Sequence, residues 1–286
     1  MKTEELVRLL ETKELVLFGV GFVAEMFYAA LERRGLSSRL RFAVVTYAQA
    51  GLQFHGRPVL SLKEAAFSED VLLCAAVHES AMRELSAVLT ERGVHSVWIY
   101  PNLFDLLYGA PVLETACLPL KELLSKQSRE DYWLAVRYAA IRDYLRNEKT
   151  YPETCEVYRR AISLHCGYET AVRRNRLMET LASSMAEEGF RQDRPVKIDE
   201  SGRLIDGLHR TACAAFLRLE HIPAVVYPAS PLYDRLLGER NRLPRRTLLE
   251  AGFTAEELRF LRQAQDELLS GGERPCPARI DVILEI

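Results

Sequence analysis

The chain has 286 residues, with 38 Lys plus Arg against 40 Asp plus Glu and a net charge of −2 at pH 7. That balance argues against a strongly basic nucleic-acid binder, and the 48% hydrophobic fraction describes an ordinary globular chain long enough for two domains. Six scattered cysteines, with no C-x-x-C pair and no zinc spacing, fit a reducing cytoplasm.

The amino terminus, Met1-Lys2-Thr3-Glu4-Glu5, starts a charged amphipathic helix rather than a signal peptide. Glu14–Phe18 reads as a short buried strand, followed by Gly19-Val20-Gly21-Phe22-Val23-Ala24 and a helix over Ala24–Arg34 that stops at Gly35. Arg41–Thr46 is a second strand, Ser61–Phe67 a short helix, and Asp70–Val77 a third strand. The apolar run Val71–Val77 is far too short to span a bilayer. Glu79–Arg92 follows as a helix and Ser96–Tyr100 as a fourth strand. Such alternation predicts a parallel sheet with helices on both faces. Gly-x-Gly-x-x-Ala between a strand and a helix is a Rossmann fingerprint variant, which makes Gly19 and Gly21 a possible second ligand site. The acidic residue that holds a ribose hydroxyl at the end of the second strand is replaced by Thr46 and Tyr47. Gly56-Arg57-Pro58-Val59 adds a likeness to the small Rossmann-like domains of sugar-modifying and transferase proteins.

Residues 111–127 read as a linker, broken by Pro111 and Pro119. Ser128-Arg129-Glu130-Asp131 fits a capping box, ahead of a helix carrying Trp133, Val136, Ala140 and Tyr144 as a core stripe. Pro152 can begin the next helix, with Cys155, Tyr158 and Ile162 on one face. A further helix covers Arg176–Phe190, with Gly189 as its stop. Then Lys197–Asp199 is a strand, Ser201-Gly202 a tight turn, and Arg203–Asp206 a second strand. Asp206-Gly207-Leu208-His209-Arg210 opens a helix running through Thr211–Arg218, and Ile222–Tyr227 is another strand. Glycine there allows close backbone approach, and a helix start offers free N–H groups and a positive dipole end to an anion. His209 and Arg210 would add donors and charge; the competing reading is that Asp206 caps the helix while His209 and Arg210 brace it. The tail carries Arg235, Arg240, Arg242, Arg245 and Arg246, read as a solvated face, with one or two free to reach a phosphorylated substrate. Thr254-Ala255-Glu256-Glu257 is a second capping box, before a helix whose apolar face holds Leu258, Leu261, Gln265 and Leu268.

Residues 170–228 resemble the superfamily that joins ParB amino-terminal domains, sulfiredoxin and the ParB-like free-serine kinases. The likeness rests on the helix before Gly189, the Pro195-Val196 strand start, Asp-Gly-x-His-Arg and Ile222-Pro223-Ala224-Val225. Leu208 stands where sulfiredoxin has its catalytic cysteine, and Leu-His-Arg replaces the acidic-Arg-Arg of partition ParB proteins. The free-serine kinase form is the most similar. The resemblance implies an α+β domain, placed with its helical lead-in at residues 128–230; the alternating elements make 1–110 a Rossmann-like domain, and 231–286 reads as a helical extension. It also implies nucleotide-dependent phosphoryl transfer to a small hydroxyl-bearing metabolite, with ATP or ADP and magnesium as cofactors. Gly207, His209, Arg210 and Thr211 would bind the phosphates, and Asp206 or Glu169 would act as base. A nucleotide-sensing module without turnover is the alternative, and a DNA-associated ParB-type protein the remote third. A small-molecule partner, a cytoplasmic location, no membrane and an open question of homo-oligomer formation complete the reading.

Overall fold

The computed structural model describes residues 1–68, 70–77, 79–146, 154–229 and 242–270. The chain forms two compact units, Met1–Ala110 and Pro111–Ile286. Among the described residues no helix is long and apolar enough to cross a membrane.

The first unit is an α/β sandwich. Its elements are α1 (Thr3–Thr12), β1 (Glu14–Phe18), α2 (Phe22–Arg33), β2 (Leu40–Val45), β3 (Gln53–Phe54), β4 (Arg57–Ser61), β5 (Val71–Ala75), α3 (Glu79–Glu91), β6 (Ser96–Trp98) and α4 (Leu103–Tyr108). The strands lie in the order β3-β4-β2-β1-β5-β6, parallel except for the β3–β4 hairpin. This is Rossmann-like topology. The chain leaves β1 toward β2 and β4 on one side, then returns to place β5 on the other. Val16 and Phe18 pack with Leu85 and Leu89 of α3, while Leu15 and Leu17, on the opposite face, are equally buried. A strand buried on both faces reads as a continuous apolar run, which is why Leu15-Val16-Leu17-Phe18 was legible. The helix expected over Ser61–Phe67 does not form. Leu62 N–H instead bonds Val45 O at 2.7 Å, and Ser61 Oγ donates to Glu64 Oε2 at 2.6 Å, closing a turn after β4.

The second unit contains β7 (Leu113–Pro119), α5 (Leu120–Ser125), α6 (Trp133–Arg146), α7 (Thr154–Cys166), α8 (Tyr168–Glu188), β8 (Val196–Asp199), β9 (Leu204–Asp206), α9 (Leu208–Phe216), β10 (His221–Tyr227), α10 (Arg245–Glu250) and α11 (Ala255–Leu269). Its sheet order is β7-β10-β8-β9, with β10 parallel to β8 and antiparallel to β7. Residues 111–127 are therefore no linker. Pro119 ends β7 on the sheet edge, opposite His221, where its missing N–H costs nothing. The β8–β9 turn is closed by buried Asp199, whose Oδ1 accepts from the N–H groups of Ser201 (3.0 Å) and Arg203 (3.1 Å).

α6 is buried almost all round, from Trp133 to Asp143, so the expected stripe became a whole helix surface; only Tyr144 reaches out, to Ser183. The capping box expected at Ser128 is displaced. Asp131 Oδ1 accepts from Trp133 N–H at 3.0 Å and from Leu243 N–H at 3.1 Å, so the helix starts later and is tied to residues far along the chain. Nor is the carboxy-terminal part an extension. Leu248, Leu258, Leu261 and Leu268 belong to the same core as Ile141 and Tyr158, and Arg160 pairs with Glu257 at 2.6 Å. Arg246 is exposed and pairs with Glu250 at 2.7 Å. Pro152, Arg235, Arg240 and Cys276 lie outside the described residues. The box at Thr254 forms as read, with Thr254 Oγ1 accepting from Glu257 N–H and Glu257 answering to Thr254 N–H at 2.7 Å. Thr254→Ala is expected to cost about 1 kcal/mol, read as a lower urea midpoint at unchanged slope.

Candidate functional site

The start of α9 is set by Gly207, at φ 100° in the left-handed region. A Cβ there would stand 2.7 Å from Val196 Cγ1 and 3.2 Å from Val196 Cα. The glycine is needed so that α9 can leave β9 against β8. α9 begins at Leu208, three residues before Thr211, and no side chain caps it. The cap role expected of Asp206 is thus not taken up.

Asp206 and Arg210 serve each other. Arg210 Nη2 donates to Asp206 Oδ2 at 3.0 Å, and its Nη1 donates to Pro195 O at 2.7 Å and to Arg194 O. This guanidinium, read from sequence as a phosphate donor, is spent on bracing the strand start that precedes it. Asp206 is correspondingly held as a paired carboxylate.

His209 points to a different set of neighbours. Its Nε2 shares a 2.7 Å hydrogen bond with the hydroxyl of Tyr158, a fully buried α7 residue. Burial, followed by the positive charges of Arg137, Arg174 and Arg210, pushes His209 well below its ordinary 6.5. His165, at the exposed end of α7, is also lowered, by partial burial and then by Arg137 and Arg174. Burial raises the Tyr158 phenol. Both members of the Tyr158–His209 pair are therefore neutral at neutral pH. His165 packs on Trp133 at 4.8 Å between ring centroids, and Arg137 lies over the same indole at 4.9 Å.

Four mutually packed helices, α6 to α9, thus bring together Arg137, Tyr158, His165, Arg174 and His209. Arg137 is buried and donates one hydrogen bond, Nη1 to Trp133 O at 2.8 Å. Burial, with a contribution from Arg174, takes its pKa down to about 10. On these helices Arg137 Nε, Asn175 Oδ1 and Thr211 Oγ1 are buried with no hydrogen-bond partner among the described residues. Sequence reasoning missed Arg137, Tyr158 and Arg174. One signal existed for the first: an arginine inside Trp133-Leu134-Ala135-Val136-Arg137-Tyr138-Ala139-Ala140-Ile141 sits where charged residues are seldom buried unpaired.

The remaining expected site residues are not drawn in. Glu169 is exposed on the first turn of α8, and no described contact joins it to Asp206 or His209. In the first unit, Gly19 (φ 103°) lets the β1–α2 turn pass Ala76, whose carbonyl oxygen would lie 3.0 Å from a Cβ. Gly21 is exposed at the cap of α2 with open space around it, and Tyr47 is 90% exposed. A groove of about 500 Å3 on the outer face of α8 is lined by Tyr144, Arg176, Glu179 and Ser183 among others, and by none of the motif residues. Among the described residues no group of three or more His, Cys, Asp or Glu is placed to hold a metal ion. The motif's only carboxylate, Asp206, is engaged by Arg210. The described residues therefore offer no ready-made protein cage for a magnesium ion at this site.

The fold and the site define an α/β protein with a Rossmann-like first unit and a cationic four-helix centre in the second. Compared with known proteins, the chain matches no family model, and no curated protein or solved structure shows significant similarity to it.

Proposed function

We propose that the second unit binds a phosphate-bearing small molecule, a nucleotide such as ATP or ADP, at the start of α9, and transfers a phosphoryl group to a hydroxyl-bearing metabolite. The observation that carries this reading is the convergence of positive charge on an uncapped helix start, where Arg137 and Arg174 have no ion pair among the described residues. The N–H groups of the first turn and the dipole end favour an anion there. Arg137, Arg174 and His209 stand around it, and the one carboxylate of the motif is already paired. The order α8, β8–β9 hairpin, α9, β10 supports the ParB/sulfiredoxin-like resemblance.

Phosphoryl transfer depends on positioning and charge neutralisation more than on covalent chemistry by the protein. In this reading α9 and the arginines hold the phosphates, the Asp206–Arg210 brace fixes the helix end, and, since no described contact brings Glu169 to the motif, the acceptor's proton passes to water. The engagement of Asp206 with Arg210 favours a second reading, in which the site senses a nucleotide without turning it over.

Binding is tested on the full chain by thermal shift with ATP, ADP, CTP, AMP and NAD, with and without magnesium, beside His209→Ala. A nucleotide-dependent rise in melting temperature that His209→Ala abolishes is the expected result. A rise that survives the substitution moves the ligand to Gly19–Gly21. No rise with any nucleotide overturns the proposal. Release of product from ATP or ADP in the presence of a hydroxyl acceptor separates transfer from sensing.

A further inference from the structure

We infer that the phosphoryl group is held by Arg137 and Arg174, from the two helices α6 and α8 that precede the motif, with the Tyr158–His209 pair beside it, and not by Arg210 of the motif. This rests on the reading that the second unit binds a phosphate-bearing ligand.

A guanidinium has five N–H donors in a planar fork. Arg137 uses one of them, on the carbonyl of its own helix, and its Nε is buried with nothing to donate to. A charge in that position is costly unless an anion completes it. Asp131 is the acid whose charge reaches Arg137, but its Oδ1 is taken by the N–H groups of Trp133 and Leu243, and it forms no ion pair with Arg137. Arg174 makes no hydrogen bond or ion pair among the described residues, and its charge acts on Arg137 as a like charge. Two cations that act on one another, with no ion pair to an acid among the described residues, are repulsive in the free protein and complementary to an oxyanion. The neighbours from the other packed helices, Tyr158 and His165 of α7 and His209 of α9, are neutral and supply no counter-charge. Arg210 already commits three of its donors to Asp206 and the carbonyls of Arg194 and Pro195. His165 is exposed, Arg174 half-buried and Arg137 buried, so the most buried group of the set is a guanidinium, which suits bidentate recognition of a phosphate. The chemical class is a compact, multiply charged oxyanion, either free or as the end of a nucleotide.

The test titrates the full chain with inorganic phosphate, pyrophosphate, ADP and ATP by calorimetry, at low and high salt. It compares wild type with Arg137→Met, which keeps the volume and removes the charge, and with the milder Arg174→Gln. The wild type is expected to bind at least one of the four anions, more weakly at high salt. Loss of charge-assisted bonds lowers affinity at least about tenfold in Arg137→Met and by a few-fold in Arg174→Gln. Without ligand, Arg137→Met melts at or above the wild-type temperature, because an uncompensated buried charge is gone. A purely structural Arg137 gives the opposite pattern: a lower melting temperature with unchanged anion affinity, which overturns the inference. ADP or ATP binding that is equal in all three proteins also overturns it while leaving the proposed function standing. Failure of all four anions to bind the wild type overturns both. A preference for phosphate or pyrophosphate over ADP and ATP identifies a free oxyanion as the ligand, and the reverse a nucleotide.

Discussion

Gly207→Ala is expected to lower the unfolding free energy by about 2 to 6 kcal/mol, enough to unfold a marginal domain. Two costs add. A left-handed φ of 100° penalises any side chain, by about 1 to 3 kcal/mol. The new methyl would also enter within 2.7 Å of Val196 Cγ1 and 3.2 Å of Val196 Cα, and forced overpacking costs about 1 to 3 kcal/mol. Val196 cannot step aside, since it is fully buried and paired with Ala224 in the sheet. Urea unfolding of the full chain measures the loss. Adding Val196→Ala to Gly207→Ala should recover the part due to Cγ1 and leave the backbone part. If Gly207→Ala unfolds at the wild-type midpoint, the glycine is not there for packing and its role returns to the ligand.

Acid destabilisation is the second large effect. His209 titrates well below 6.5 in the folded chain because of burial and the charges of Arg137, Arg174 and Arg210. The unfolded chain takes up that proton near 6.5, so between this value and the folded pKa the unfolded state binds more protons. Stability from this group is therefore complete above about pH 6.5 and falls as pH drops, by up to about 1.4 kcal/mol per pH unit for one proton. His165 shifts in the same direction but is exposed, and its share is smaller. Urea midpoints collected from about pH 7.5 down to pH 5 should show the fall, and His209→Gln should flatten it by close to one proton. An unchanged pH profile in that variant would mean that His209 is already solvated, and would remove the positive field from the account of the site. Phosphate added at saturation should also flatten the slope if it settles between the two arginines, since a neighbouring anion favours the charged imidazole.

Much of the backbone was legible because its signals are local. Leu15-Val16-Leu17-Phe18 carried its strand, Gly189 its helix stop, Ser201-Gly202 its turn and Thr254–Glu257 its cap, and each depends on residues within a few positions of one another. Residues 113–119 were not legible. β7 has an exposed, mixed pattern and ends on a proline, and it is a strand only because β10, more than a hundred residues later, supplies its partner. The helix expected at Ser61 failed for a similar reason, since Leu62 N–H was claimed by Val45 of the neighbouring strand.

The candidate site divides in the same way. Sequence by itself determined the motif, the helix that follows it, and a near-neutral α/β chain whose glycines stand where the backbone turns. Periodicity, caps and positive-φ positions are properties of short segments, and physics reads them without the rest of the molecule. Only the tertiary structure decided which cation faces which acid. Arg210, adjacent to His209 in the chain, is drawn away to Asp206 and the carbonyls of Arg194 and Pro195, whereas Tyr158, 51 residues earlier, meets His209 at 2.7 Å. Side chains on one helix turn point in different directions, so neighbours in sequence are separated and residues on four helices converge. That Arg137 and Arg174 have no ion pair among the described residues follows from that convergence and from no stretch of the chain alone.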